Sequence, residues 1–498
     1  MSDYIMINPN DNVCVALKDM SAGTAVVVAE KEVELLDDIH KGHKFAITDI
    51  GKSDSIVKYG YPIGFAKCDI RPGEHVHVDN IMTALSDNLT YEYKPGDCTV
   101  DKRDLSEDRQ YFMGYERTDG TVGIRNELWI VPTVGCVNAI AKTIADLNSD
   151  FVGEGVDAVM SFSHPYGCSQ MGDDQENTRL ALADLIKHPN AGGVLVLGLG
   201  CENSNITEIQ RYLGDYDKAR IRFLVCQDVE DEIGEGSKIV AELAKIMRLD
   251  KRTRQSISKL VIGLKCGGSD GLSGITANPV VGAFSDILTC NGGSTILTEV
   301  PEMFGAETIL MNRAKDHEVF DKIVKLINDF KDYYRNHGQT IYENPSPGNK
   351  AGGISTLEDK ALGCTQKSGS TPVNDVLAYG QRIQVQGLNL LSAPGNDLVA
   401  ATALALSGAQ IVLFTTGRGT PFAGPVPTVK ISTNTSLYEK KSNWIDFDCG
   451  RLTCGQTTID ELSMDLYDYV LSIANGKMVR SESKGYCDFA IFKQGVTL

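Results

Sequence analysis

Short apolar runs separated by turn residues fill the first ninety positions of the chain. VCVAL (13–17), TAVVV (24–28), HKFAITDI (43–50), SIVKYGYPIGFA (55–66) and EHVHV (74–78) are strand-sized and bounded by Gly, Asp and Pro. Runs of this length with such punctuation predict a small β domain over residues 1–92. The polar stretch YEYKPGDCTVDKRDLSEDRQ comes next. It predicts a linker over 93–112, or an ordered arm laid on the domain that follows.

From residue 113 the pattern changes. LWIVPTVGC, AVMSFSHPYGC, GVLVLGLGC, IRFLVCQD, KLVIGLKCGG and STILTEVPE are apolar runs, with helical segments such as NAIAKTIADLN, ENTRLALADLIKH and SKIVAELAKIMR between them. That alternation predicts parallel βαβ units. The polar break YENPSPGNKAGG (342–353) divides the region. The expected fold is therefore α/β: a small N-terminal β domain, then two Rossmann-like parallel α/β subdomains over 113–345 and 346–498. The second holds GLNLLSAPGND, the Ala-rich LVAATALALSG, AQIVLFTTGRG and a terminal helix near ELSMDLYDYVLSIA.

Composition narrows the function. The chain has 498 residues, 42% hydrophobic and 23% charged, which suits an ordinary globular protein. Its formal charge is −18, which disfavours a nucleic-acid partner because phosphate binding needs clustered Lys and Arg. Local basic groups such as Lys265 and Arg418 still suit an anionic substrate. No apolar run approaches the length of a membrane span, and no secretory pattern opens the chain, so the expected setting is cytoplasmic. The thirteen cysteines then read as reduced thiols, and no C-x-x-C pair suggests a zinc ribbon. An enzyme of this size is expected to be a homo-oligomer.

In open α/β sheets, ligands bind beyond the carboxyl ends of the strands. Here those ends carry HPYGCSQ, GCENSN, KCGGSDGLSGITANP, TEVPE, APGND and TTGRGTPFAGP. In the third loop, Lys265 suits a carboxylate partner or a base, Asp270 a metal ligand, and Ser269 and Asn278 readers of hydroxyls. Arg418 stands between glycines and suits a two-pronged grip on a carboxylate. Asn396 and Thr420 are further substrate contacts, and His164 is the expected general acid or base. Glu299 and Glu302 read as a base, metal ligands, or a solvated helix start. In a strand, His75 and His77 share one face. With His43 they suit a divalent metal, with Glu299, Glu302 or Asp270 completing the set. Cys168, Cys201 and Cys266 each follow an apolar run, which leaves a [4Fe–4S] cluster as an alternative to small buried thiols. Cys136, Cys364, Cys449 and Cys454 receive only the structural reading.

These same residues carry a family resemblance. HKGHKFAITDI, VKYGYPIGFA and GEHVHVDN resemble the small SAF-type (β-clip-like) domain of the altronate and galactarate dehydratase family. GYERTDGTVGIRNELWIVPTVGCVN, FSHPYGCSQMGDD, LGLGCENSN, LKCGGSDGLSGITANPVVG, TEVPEMFGAE and FTTGRGTPFAGPVPTVKISTN resemble its large catalytic domain. The resemblance implies dehydration of a sugar acid to a 2-keto-3-deoxy acid, with Fe(II) or Mn(II) as cofactor. D-altronate, giving 2-dehydro-3-deoxy-D-gluconate in hexuronate catabolism, is the expected substrate. Galactarate or another sugar acid is the alternative, and a non-catalytic sugar-acid binding protein the rival from another class. A sulfolactate sulfo-lyase splits the same modules between subunits and eliminates sulfite, so the family alone leaves the leaving group open.

Overall fold

The computed structural model describes residues 3–85, 90–96, 98, 100 and 102–496. The front β module is built from short antiparallel pairs. Val13–Ala16, Lys44–Ala46 and His75–Val76 lie side by side in one sheet, and Ser55–Lys58, Tyr61–Ala66 and Ile81–Met82 form another. SIVKYGYPIGFA thus folds as a hairpin, with Tyr59 and Gly60 both at positive φ in its turn.

The expected linker is an ordered arm wherever it is described; residues 97, 99 and 101 lie outside the described set. Tyr91 donates to Glu307, Tyr93 to the Ala314 carbonyl, and the Gly96 amide to the Asn312 carbonyl. After it, Tyr111–Glu116 pairs antiparallel with Val122–Gly123 and with Thr253–Ser256.

Two parallel sheets follow. The smaller has the order Val159–Ser161, Glu127–Pro132, Ala191–Gly198, Ile221–Val225. The larger has seven strands in the order Val373–Leu377, Gly387–Leu391, Ser294–Leu297, Val261–Cys266, Ile411–Thr416, Thr428–Ser432, Phe447–Asp448. Every neighbouring pair in both sheets is parallel.

This topology corrects the expected boundary at 345. Val261–Cys266 and Ser294–Leu297 lie at the centre of the same sheet as the strands after 373, so the two α/β units divide between Met247 and Thr253. The break at 342–353 is an excursion within the second unit. The helices Ala277–Cys290, His317–Asn336 and Ile459–Ala474 contribute to the main apolar core with this sheet. The Ala-rich helix Asp397–Leu406 packs in a separate cluster with Ile296, Leu391 and Val412.

The order of winding reverses once in each sheet. From Val261–Cys266 the chain moves to Ser294–Leu297 on one side, and later returns to Ile411–Thr416 on the other. From Glu127–Pro132 it moves to Val159–Ser161, then to Ala191–Gly198 on the opposite side. Loops diverging at such a reversal open the crevice in which α/β proteins bind ligands.

Candidate functional site

At the reversal in the large sheet, two glycine-rich loops are bonded together. The amides of Gly417 and Arg418 both donate to the Gly268 carbonyl, at 3.0 and 2.9 Å. A side chain at Gly417 would run into Asp270, and one at Gly267 into Phe414 and Asp397, so this approach requires glycine. Arg418 is exposed at the rim. Asn396 caps the Asp397–Leu406 helix by accepting from the Leu398 and Val399 amides, and half-buried Thr420 accepts from the Phe422 amide.

Below the rim lies a buried ionic network. Lys265 Nζ donates to Glu299 Oε1 and to Asp397 Oδ1, both at 2.7 Å. Glu299 has left-handed backbone at φ 68°, and its second oxygen accepts from the Cys266 amide at 2.9 Å. Burial alone would lower the Lys265 pKa, but Glu299 and Asp397 outweigh it and hold it above the ordinary lysine value. Burial pushes Glu299 well above the usual carboxylate range, and neighbouring Cys266 adds to the rise. The Asp397 side chain is 36% exposed, so of the two carboxyl partners of Lys265 it is the one that reaches solvent.

Glu302 belongs to a second buried group. Its Oε2 lies 3.1 Å from the thiols of both Cys266 and Cys364, which are 3.5 Å apart. Its Oε1 accepts from Lys360 at 2.7 Å. Burial would raise Glu302, yet Lys360 and Lys367 bring it down to about 2. The hydrogen bond from Cys364, reinforced by the same lysines, lowers the Cys266 thiol.

The front module meets this edge directly. Gly42 stands against Gly271 and the Gly352 carbonyl, and His43 Nε2 lies 3.4 Å from the Ala351 carbonyl. Buried Lys44 and Lys58 both bind the buried carboxylate of Asp359, each at 2.9 Å. Ala306, Ala361 and Leu362 of the large unit share one apolar cluster with Val13, Ile56 and Val76 of the module. A cavity of about 10 Å³, room for about one water, separates Lys58 and Tyr59 from Ser269, Asn278 and Lys360.

His43, His75 and His77 converge beside this contact. His43 Nδ1 lies 3.0 Å from His75 Nε2, and one nitrogen from each ring falls within 4.8 Å of the others. Only His75 of the HVH pair lies in a strand, yet its ring stacks with that of His77 at 5.4 Å. Burial lowers all three, His75 and His77 to about 4, so the imidazoles are neutral at physiological pH, as metal ligands must be. His77 Nδ1 is buried without a partner among the described residues. Three neutral nitrogens, one of them orphaned, fit a divalent transition metal.

Several expected roles change. Glu302 does not join the histidines, because its oxygens are taken by Lys360 and the two thiols. Glu299 and Lys265 are spent on each other and on Asp397 beneath the rim. Asp270 is half-buried and accepts from Thr433, Ser273 and the Leu272 amide, so it fastens loops together. Asn278 is fully buried, donating to the Gly363 carbonyl and accepting from Thr415. Ser269 is buried too, its hydroxyl without a partner among the described residues. His164 is no free acid or base: its Nε2 meets the Pro132 carbonyl at 2.8 Å, and its Nδ1 accepts from the Tyr166 amide. Cys266 sits with Cys364 and Glu302 in the large sheet, whereas Cys168 and Cys201 lie at the end of the small one, so those three thiols are not one ligand set.

Asp397, Lys360, Cys364 and Lys367 escape a reading of the sequence. Asp397 left a trace, as an acid opening an otherwise apolar helix. Lys360 and Lys367 sit in segments that look like any polar surface. Wider hollows of about 500 Å³ beside Arg117 and Asp217, and of about 410 Å³ beside Glu127 and Glu482, contain neither the histidine trio nor these lysines.

Fold and site together define a two-part α/β protein: a β module bearing a histidine trio, docked on the strand-end loops of a parallel sheet. The chain belongs to the altronate and galactarate dehydratase family. The family's SAF domain matches residues 2–84, the second domain of D-galactarate dehydratase/altronate hydrolase matches 114–248, and the D-galactarate/altronate dehydratase C-terminal domain matches 257–497. The chain is 54% identical to the altronate dehydratase of Escherichia coli K12, over 99% of its own length and all of that protein. It is equally identical to the altronate dehydratase of Bacillus subtilis 168, over the full length of both. The galactarate dehydratase (L-threo-forming) of E. coli K12 is 33% identical, covering 95% of this chain and 93% of that protein.

Proposed function

We propose that this chain dehydrates D-altronate to 2-dehydro-3-deoxy-D-gluconate, with Fe(II) or Mn(II) held by His43, His75 and His77. The observation that carries the substrate is the end-to-end 54% identity to two altronate dehydratases, against 33% to the galactarate enzyme. The family domains cover both the histidine module and the sheet edge it docks on.

The reaction takes a proton from C2 and hydroxide from C3, and the enol left behind becomes the 2-keto acid. The exposed guanidinium of Arg418 grips the substrate carboxylate at the rim. Asp397, held by Lys265 yet open to solvent, takes the C2 proton. His43, His75 and His77 would hold a divalent ion, which when bound would supply Lewis-acid stabilisation of charge on the substrate oxygens, worth several kcal/mol. Lys265 and Glu299 position Asp397 from beneath without touching the substrate. Thirteen free thiols support a reducing, cytoplasmic setting; among the described residues no helix is long and apolar enough to cross a membrane.

The test is keto-acid formation from altronate and from galactarate, side by side, after chelation and after adding back Fe(II) or Mn(II). The expected outcome is metal-restored activity with altronate the better substrate. Preference for galactarate overturns the substrate, and full activity after complete chelation overturns the metal.

A further inference from the structure

The winding reversal in the smaller sheet gathers three cysteines that the reading above leaves unused. Glu127–Pro132 lies between Val159–Ser161 and Ala191–Gly198, and the loop after each strand carries one thiol: Cys136, Cys168 and Cys201. These loops are bonded to one another close to those residues. The Gly135 amide donates to the Tyr166 carbonyl at 2.9 Å, and the Ser204 amide to the Gly167 carbonyl at 3.0 Å. Thr133 donates to Glu202 at 2.6 Å, and Glu202 also accepts from the Leu199 and Gly200 amides. A side chain at Gly135 would strike the His164 carbonyl, and one at Gly167 the Thr133 carbonyl, so each glycine beside a cysteine allows backbones to meet. His164 fixes the middle loop, with both ring nitrogens on backbone.

All three thiols are open, Cys136 and Cys201 exposed and Cys168 partly so, unlike the buried Cys266 and Cys364. Gln227 brings an amide donor to 3.8 Å from the Cys201 sulfur. Fully buried Ser204 has a hydroxyl without a partner among the described residues, as has the Nε of Arg179, a residue of the helix Asp173–Ile186 that donates through another nitrogen to the Asn203 carbonyl. Ligand sulfurs on one tetrahedral ion at about 2.3 Å lie roughly 3.8 Å apart. Among the described residues, only the histidine trio and Cys266–Glu302–Cys364 bring three ligand atoms within 4.8 Å of one another. The three open thiols are not such a trio; the thiol ligands of a cubane sit on different irons and stand farther apart than ligands of a single ion.

We propose that Cys136, Cys168 and Cys201 bind a [4Fe–4S] cluster, each thiol giving up its proton to bond one iron, with the fourth iron left open to an oxygen ligand. This cofactor site is separate from the histidine trio, and its test does not depend on the substrate.

The full-length chain is prepared without oxygen and supplied with equal amounts of ferrous and ferric iron and with sulfide. The expected result is about four irons and four acid-labile sulfides per chain, with broad visible absorption. Cys136→Ser, Cys168→Ser and Cys201→Ser are each expected to lose most of that sulfide, while Cys266→Ser and His75→Ala keep it. Alkylation mapping of the wild type covers the case of a serine variant that fails to fold: the three thiols should be protected only when labile sulfide is bound. Iron without labile sulfide, sulfide retained by the triple serine variant, or equal alkylation with and without the cluster would overturn the assignment.

Discussion

Three imidazoles with lowered pKa values attract a cation by lone pairs rather than by charge. His75→Ala removes one of the three proposed ligands, so bound Fe or Mn should fall by more than about 10- to 100-fold in affinity, the loss typical of merely disturbing an outer partner. Metal analysis and the keto-acid assay should fall together while circular dichroism is unchanged. Arg418→Ala should lower kcat/KM by about 10- to 100-fold, the value of a hydrogen bond between charged groups of about 1.5–3 kcal/mol; Arg418→Lys should restore part of it. If Arg418→Ala leaves kcat/KM intact, the substrate carboxylate lies elsewhere. The histidines were legible because His-x-His in a strand-like run puts both rings on one side. Asp270 and Asn278 show the difficulty: a polar residue in a glycine-rich loop looks the same in sequence whether it faces a ligand or knots the loop, and here both make bonds that knot it.

At the scale of elements, the front module is locked by Lys44 and Lys58 on Asp359. Burial would raise the Asp359 carboxyl, but the two lysines hold it far below the usual range. A lowered carboxylate pKa gives stability that is present above the unfolded value near 3.9 and is lost only as pH falls through the lower folded value. This contact should therefore outlast ordinary surface ion pairs on acidification. Asp359→Asn leaves two buried lysines without their counter-charge and should cost about 3–5 kcal/mol, read from denaturant unfolding; a change under about 1 kcal/mol would mean that the module is held by its apolar cluster alone. Nothing in the sequence announces this triad, because Asp359 lies 315 and 301 positions from its two lysines. The misplaced boundary at 345 has the same origin. Each strand was visible as an apolar run, but the sheet takes its central strand from the stretch before the polar break and its neighbours from both sides of it.

At the scale of the whole molecule, a module whose histidines fall outside the parallel sheet packs against the loops at that sheet's strand ends. Alternating apolar runs and helices were enough to predict the classes of the parts; the seating of one part on another depends on shape and on long-range pairs such as Gly42 against Gly271. The claim that joins fold to function is that one divalent ion sits where module and edge meet. It is tested most directly by anomalous X-ray scattering from crystals of the full chain grown with Mn(II) and a non-reactive sugar acid. The account predicts a manganese peak within coordination distance of His43, His75 and His77, with the sugar-acid carboxylate against Arg418. A manganese peak elsewhere, with the three imidazoles bare and the sugar acid away from Arg418, would contradict it.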